Sequence, residues 1–205
     1  MSPAEGELLG QLIGAKRRLA ARGWMPATSG NLSARISEKP LRFWISASSR
    51  DKEEEHPDDF MIVDEEGKPE AGQDLKPSAE VRVHAAVYKK TGAGAVFHVH
   101  SVYSALTSEQ AFDHGGITFG ELEILKGLGR WEEGATVRVP IVPNLHDLNA
   151  LADQVARMLN PDVPGLLIRS HGLYSWGRTC FEAKRHVEAF EFLCQWTIVK
   201  QTMRS

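Results

Sequence analysis

The stretch AVFHVHS, residues 95–101, constrains the fold more than any other part of the chain. Its β-branched and aromatic residues predict a buried strand. Successive side chains on a strand point to opposite faces, so His98 and His100 share one face with Val96, and Phe97 lies on the other. Two imidazoles at this spacing can act as metal ligands, or they can be ordinary polar groups hydrogen-bonded within a sheet.

Length and composition predict an ordinary globular protein. The chain has 205 residues, which suits one sizeable core, so we expect a single domain over residues 1–205. A formal net charge of -3, with scattered Lys and Arg, argues against a nucleic-acid partner. The chain has neither the apolar core of a signal peptide nor a run long enough to span a bilayer. We therefore expect a cytoplasmic protein without a membrane partner.

Apolar spacing predicts helices and strands that alternate along the chain. Helices are predicted over residues 5–22, 77–92 with Ser78 near the start, 102–109, 145–160 and 179–203. Strands are predicted over 31–36, 42–47, 61–63, 95–101 and 135–144, with a strand, turn and strand over 165–177. This alternation indicates a mixed α/β fold in which helices flank a central sheet.

The two cysteines are predicted to be packing residues. Cys180 and Cys194 lie fourteen residues apart within one predicted helix. At 1.5 Å per residue they are about 21 Å apart along the axis, too far to form a disulfide.

His171 is a candidate third ligand. It follows the apolar run GLLIRS and precedes Gly172, so we expect it at the end of a buried strand, where a turn reaches a cleft. Alone it can equally be a turn residue. With His98 and His100 it forms a three-histidine set with an open position, the arrangement of a catalytic metal site. Zn²⁺ suits three imidazoles, although iron, cobalt, nickel and manganese can occupy such sites.

Five motifs in order, TSGNLSARI, ISASSRDK, KPSAEVRVHAAVY, GAGAVFHVHS and RSHGLYSWG, resemble the class II aldolase (aldolase/adducin) family. The resemblance implies an α/β fold: a single three-layer α/β/α domain with a central, mostly antiparallel or mixed sheet. It also implies a sugar-phosphate substrate, one divalent ion per subunit and a homo-oligomer, a ring-shaped tetramer. The segment ITFGELEILKGLGRWEEGATVRVPIVPN is similar to a dehydratase subgroup, which implies loss of water from 5-methylthioribulose 1-phosphate in methionine salvage.

Neutral hydrogen-bond donors could bind the substrate phosphate. TSGNLS can be an ordinary turn, or its small residues can let backbone N–H groups approach an anion. A serine near a helix N-terminus adds a favourable dipole. By resemblance, the phosphate ligands are Asn31, Ser48, Ser49 and Ser78. Family members often have glycine where Ser49 stands, so its backbone N–H matters more than its hydroxyl.

Three glutamates are candidates for proton transfer, although most glutamates are surface residues. Glu80 in PSAEVRVH matches an acidic residue that the aldolases place near the metal and use as acid/base. In FGELEILKG, alignment on the following Ile-Leu-Lys-Gly matches Glu123 to the general acid/base of the dehydratases. We favour Glu123 as the catalytic group, with Glu80 as a support near the metal or a second acid/base. Glu121 is read as structural.

The same parts suit more than one reaction. A metal that stabilises an enediolate can serve three reactions: dehydration, aldol cleavage by a class II aldolase, and epimerisation by a pentulose-phosphate 4-epimerase. An adducin-like binding module is the alternative without catalysis, and the three histidines argue against it. The segment around Glu123 favours dehydration. Trp131 and Phe119 could contact a methylthio group, but a core position is the simpler interpretation.

Overall fold

The computed structural model describes residues 1–203, and a single eight-stranded sheet runs through its centre. The helices are α1 (Pro3–Ala20), α2 (Val81–Thr91), α3 (Val102–Gln110), α4 (Leu148–Met158) and α5 (Cys180–Thr202). The strands are β1 (Asn31–Glu38), β2 (Leu41–Ser46), β3 (Phe60–Asp64), β4 (Ala95–Val99), β5 (Gly116–Gly120), β6 (Thr136–Val142), β7 (Gly165–Ile168) and β8 (Gly172–Gly177). Two 3₁₀ segments span Phe112–His114 and Glu123–Leu128.

The sheet is mixed, as predicted. Its strand order is β3-β2-β1-β4-β8-β7-β6-β5, and every neighbouring pair is antiparallel except β6 and β7. β5 was not predicted. Two of its five residues are glycines and it pairs only with β6, so the segment carries little of the apolar alternation typical of a strand.

Helices cover both faces of the sheet and produce the three layers. One apolar cluster joins α1, α3 and α5 to the sheet and contains Phe97 and Val99. The other joins α2 and α4 to the opposite face and contains Val96. The predicted alternation of side chains along β4 is therefore confirmed, and it assigns His98 to the α2 face.

Helix α2 begins later than the sequence predicted. Its N-cap is Glu80, and Ser78 lies just before it. The Ser78 hydroxyl accepts a hydrogen bond from the Glu80 N–H (3.3 Å), while the Ser78 N–H donates to the Ser46 carbonyl at the end of β2 (3.0 Å). Ser78 is thus held beside β2.

α5 is the longest helix and carries both cysteines. Cys180 and Cys194 are buried free thiols, as predicted. Burial raises the pKa of Cys180 to about 11, so the thiol stays protonated near neutral pH. No helix in residues 1–203, including α5, is apolar over a length that would cross a membrane.

Glu191 is a carboxylate enclosed where α5 packs on α3. Neither of its oxygens has a hydrogen-bond partner among the described residues. Burial raises the pKa of Glu191 to about 7, and the nearby hydroxyls of Ser101 and Ser104 only partly oppose this effect. The negative charge is therefore disfavoured in the folded protein.

We expect Glu191→Gln to stabilise the protein at pH 8 and to change its stability little at pH 5. A carboxyl whose pKa is raised on folding binds its proton more tightly in the folded state. Wild-type stability therefore falls as pH rises from about 4.5 to about 7 and stays lower above that. The full difference corresponds to roughly 3 kcal/mol. Urea unfolding at both pH values measures it, and an equal change at both would contradict the role of the charge.

Candidate metal centre

Three histidine rings meet at one end of the sheet. His98 is in β4, His100 follows β4, and His171 lies in the turn between β7 and β8. The Nε2 atom of His98 lies 2.8 Å from that of His100 and 3.3 Å from that of His171. The Nε2 atoms of His100 and His171 are 3.1 Å apart. Side chains about 70 residues apart in the sequence thus converge on one point.

Outer hydrogen bonds set the tautomers of two of these rings. His98 Nδ1 donates to the Leu173 carbonyl (3.1 Å), and His171 Nδ1 donates to Asn144 Oδ1 (3.2 Å). A neutral imidazole has one N–H, so the Nε2 atoms of both rings carry lone pairs. Such outer partners are typical of histidines that bind metals.

The geometry of the three nitrogens fits a divalent cation. The facing lone pairs of His98 and His171 cannot satisfy one another, whereas a cation placed between the three nitrogens would bind all of them. Ligand atoms held tetrahedrally at ~2.05 Å from zinc lie about 3.3 Å apart, close to the observed separations. Burial holds the pKa of His100 down to about 3, with the neighbouring imidazoles contributing next. Neutral imidazoles are the form that binds metal.

Close packing of β8 on β4 holds the cluster in place. His98 is directly opposite Tyr174, and their rings stack with centroids 4.1 Å apart and planes 10° apart. A Cβ on Gly172 would lie 2.2 Å from the Val99 carbonyl oxygen, so only glycine allows this approach next to His171. The sequence analysis missed Tyr174. Its place on the same sheet face as His98 follows only from the pairing of β4 with β8.

Glu80 is the fourth member of the cluster. Its Oε2 lies 3.3 Å from His98 Nε2, and its Oε1 lies 3.7 Å from His171 Nε2. One ligand atom from each of Glu80, His98, His100 and His171 lies within 4.8 Å of the others. Oε1 is buried and has no hydrogen-bond partner among the described residues. The four side chains could therefore hold a metal ion together with an oxygen-bearing substrate.

Asn31, expected to bind phosphate, lies close to the carboxylate. It is the first residue of β1 and is directly opposite His98. Its Nδ2 donates to Glu80 Oε2 (2.8 Å), and its Oδ1 is hydrogen-bonded to His84 Nε2. The Asn31 amide therefore keeps one N–H for a substrate. Its contact with Glu80 could not be predicted from the sequence.

The predicted phosphate-binding serines lie together at the end of β2. Ser48 and Ser49 follow the strand, and their hydroxyls are 3.4 Å apart. The N–H of Ser48 already donates to the Lys76 carbonyl (2.8 Å), so its hydroxyl is the group available to an anion. Ser49 has a φ of 58°, a region that favours glycine.

Lys52 is a buried cation that the sequence analysis overlooked. Its Nζ donates to the carbonyls of Thr28 (3.3 Å) and Arg50 (2.7 Å), and so links the TSGN and SSR loops. Burial lowers the pKa of Lys52, and the nearby Lys16 ammonium lowers it further. The residue was visible in ISASSRDK, but nothing in the sequence indicated that it would be buried.

Glu123 lies outside this cluster in the same chain. It follows β5, which ends beside Thr136 at the start of β6. The turn that carries His171 follows β7, next to Val142 at the other end of β6. Six residue steps at ~3.4 Å separate those two ends by about 20 Å. The Glu123 side chain is 83% exposed and pairs with Lys126 (2.5 Å).

Trp131 lies on the surface beside Glu123. The prediction that it is a core residue is wrong, because its side chain is 71% exposed; Phe119 is buried, as predicted. The Lys126 ammonium lies over the Trp131 ring, 5.6 Å from its centre. Glu123 and Trp131 line a common cavity of about 290 Å³.

The chain belongs to the class II aldolase and adducin family. A family profile described as "Class II Aldolase and Adducin N-terminal domain" matches residues 10–198. Class II aldolases are metal-dependent, in agreement with the histidine cluster. L-Fuculose-1-phosphate aldolase from Thermus thermophilus has a similar crystal structure, with a TM-score of 0.78, 25% sequence identity and 98% of each chain covered.

Curated relatives are dehydratases. The methylthioribulose-1-phosphate dehydratase of Persephonella marina is 47% identical over 181 residues, covering 88% of this chain and 84% of that protein. The enzyme of the same name from Bacillus subtilis is 46% identical over 201 residues, covering 98% of this chain and 96% of that protein.

Proposed function

We propose that this chain is a metal-dependent hydro-lyase of methionine salvage. It converts 5-methylthioribulose 1-phosphate into 2,3-diketo-5-methylthiopentyl 1-phosphate and water. The convergence of the His98, His100 and His171 ring nitrogens beside Glu80 carries the proposal, together with 46–47% identity to relatives named for this reaction. The acting unit is a single domain over residues 1–205, in the cytoplasm.

The reaction requires two proton transfers. One removes the C3 proton next to the C2 carbonyl, and the other protonates the C4 hydroxyl, which leaves as water. The remaining enol tautomerises to the 2,3-diketone. Glu123 is assigned as the acid/base for these steps, with Glu80 as its support or a second acid/base, because the unpartnered Oε1 faces the cluster.

The three histidines would hold one Zn²⁺ per subunit. When bound, the ion supplies the positive charge that stabilises the anion developing on the C2 and C3 oxygens of the substrate. The substrate phosphate is assigned to the remaining N–H of Asn31, the hydroxyls of Ser48 and Ser78, and the exposed loop at Ser49.

A second copy of the chain would complete the site. Glu123 is about 20 Å along the sheet from its own histidines, and it lies with Trp131 on the surface. Val102, two residues after His100, is an apolar side chain that is 70% exposed. These features support a homo-oligomer in which Glu123 of one subunit enters the metal site of its neighbour, and the family resemblance implies that it is a tetramer.

Incubation of the zinc-loaded protein with 5-methylthioribulose 1-phosphate tests the proposal. Mass spectrometry should show loss of one water; a chelator should stop the reaction and added Zn²⁺ should restore it. Dihydroxyacetone phosphate as product would instead indicate an aldolase, and an epimer of unchanged mass would indicate an epimerase. An unreacted substrate, with the metal bound, would refute the dehydratase and favour an aldolase or epimerase that acts on another sugar phosphate.

A further inference from the structure

A buried chain of hydrogen bonds leads from the core of α2 to Glu80. The Tyr88 hydroxyl lies 2.6 Å from Ser33 Oγ, which lies 2.7 Å from His84 Nδ1. His84 Nε2 is hydrogen-bonded to Asn31 Oδ1, and Asn31 Nδ2 reaches Glu80 Oε2 at 2.8 Å. All five residues are buried, and Ser33 and His84 are completely inaccessible.

The direction of each bond follows from which groups can donate. The Asn31 amide nitrogen donates to Glu80 Oε2, so its oxygen faces His84. That oxygen only accepts, so His84 carries its proton on Nε2. The His84 ring is fully buried and its two nitrogens are hydrogen-bonded to neutral groups, the Asn31 amide and the Ser33 hydroxyl, so the ring is neutral and Nδ1 is an acceptor. Ser33 therefore donates to Nδ1 at 2.7 Å, with the Val96 carbonyl at 3.3 Å as a weaker second acceptor, and accepts from Tyr88.

We propose that His84 is a positioning residue that acts through Asn31 on Glu80. Its Nε2–H fixes the orientation of the Asn31 amide, and that amide holds Glu80 Oε2. Oε1 is left as the carboxylate oxygen that faces the histidine cluster, with the buried Tyr174 hydroxyl as its neighbour on β8. The inference rests on the proposed function, in which Glu80 acts beside the substrate.

The strand register makes Asn31 a suitable anchor. Asn31 and His98 are direct neighbours on β1 and β4, so a carboxylate held by Asn31 keeps a constant place relative to the histidine cluster. Without the donor at position 84, the Asn31 amide could turn over. Its oxygen would then face Glu80 Oε2, two acceptors would repel each other, and the carboxylate would swing from its place.

Two substitutions separate positioning from packing. His84→Gln keeps an N–H that can reach the Asn31 oxygen, whereas His84→Asn is too short to do so but keeps a polar group beside Ser33. We expect His84→Asn to lower kcat about 10- to 100-fold, as for other partners that orient metal-site groups, and to raise KM, because a turned Asn31 amide also withdraws the N–H assigned to the phosphate. His84→Gln should recover most of the rate. Equal losses in both variants would overturn the proposal.

Coupling to Glu80 is the second readout. If His84 acts through Glu80, His84→Asn should cause no further loss of kcat in a Glu80→Gln background. Multiplying losses would show an effect on folding or on another group, and would overturn the proposal.

Two spectroscopic measurements do not need turnover, so they separate this inference from the proposed function. Histidine side-chain ¹⁵N NMR of the zinc-loaded protein should show His84 as the Nε2–H tautomer, with the signals assigned by their loss in His84→Gln. An Nδ1–H tautomer or a charged ring would overturn the inference even in an active enzyme.

The visible spectrum of the Co²⁺-loaded protein should change alike in His84→Asn and Glu80→Gln and stay near wild type in His84→Gln. A wild type with this tautomer but no dehydratase activity would refute the proposed reaction only.

Discussion

Replacing His98 with alanine is expected to abolish metal binding and activity together. His98 is fully buried, and its Nε2 lies within 3.3 Å of the Nε2 atoms of both His100 and His171. Without it, two imidazoles remain, and the charge that stabilises the substrate anion is lost. Because this electrostatic term is usually the largest in catalysis, we expect kcat to fall at least about 10³-fold. Metal analysis after dialysis and single-turnover rates measure both effects.

A matched control separates this loss from general damage. His146→Ala removes an exposed histidine outside the cluster and should keep both metal and rate. Circular dichroism should show that the His98→Ala protein is folded, although loss of the stack on Tyr174 is expected to lower its melting temperature. A folded His98→Ala protein that binds one Zn²⁺ per chain and remains active would rule out the assigned ligand set.

Glu123→Gln is expected to keep the metal and lose turnover. The amide is isosteric but cannot take up a proton, and a positioned acid/base contributes about 10²- to 10⁴-fold. Metal content and KM should stay near wild type, since the amide keeps the size of the Glu123 side chain and this residue is not among the four that could hold the ion. Glu121→Gln, two residues away, is the matched control and should retain activity. An active Glu123→Gln enzyme would refute the acid/base assignment.

Mixing two inactive variants tests whether the site is shared. If Glu123 serves a neighbouring subunit, a His98→Ala subunit can supply Glu123 to the intact histidines of a Glu123→Gln subunit. Random assembly of equal amounts into a closed ring would then give about a quarter of the wild-type activity. No activity after subunit exchange, verified by mass spectrometry of the mixed oligomer, would place the acid/base in the same chain or outside residue 123.

Local patterns predicted most of the fold. Strand periodicity around residue 97 placed His98 on the face opposite Phe97, and both cysteines lie on one helix, as predicted. The prediction was less good where tertiary contacts compete with local signals. Ser78 resembles a helix cap, but its N–H pairs with Ser46 of β2, so α2 begins later. Strand β5 forms because β6 offers it a partner.

The candidate site was only partly readable in advance. Histidines are distinctive ligands, so His98, His100 and His171 could be selected from motifs alone. The distance between Glu123 and these histidines could not be predicted, because it depends on the order of β5, β6 and β7 in the sheet. The burial of Lys52 was equally hidden, since lysine is ordinarily a surface residue.

The sequence by itself determined the residue types of the metal site, the alternation that directs His98 to one face, and membership of the class II aldolase family. Only the tertiary structure decided which groups touch: Asn31 with Glu80, His84 with Asn31, and Tyr174 with His98. The reason is physical. Side-chain direction along a strand follows from local backbone geometry, whereas contacts between strands depend on sheet order and register, which arise from packing of the whole chain.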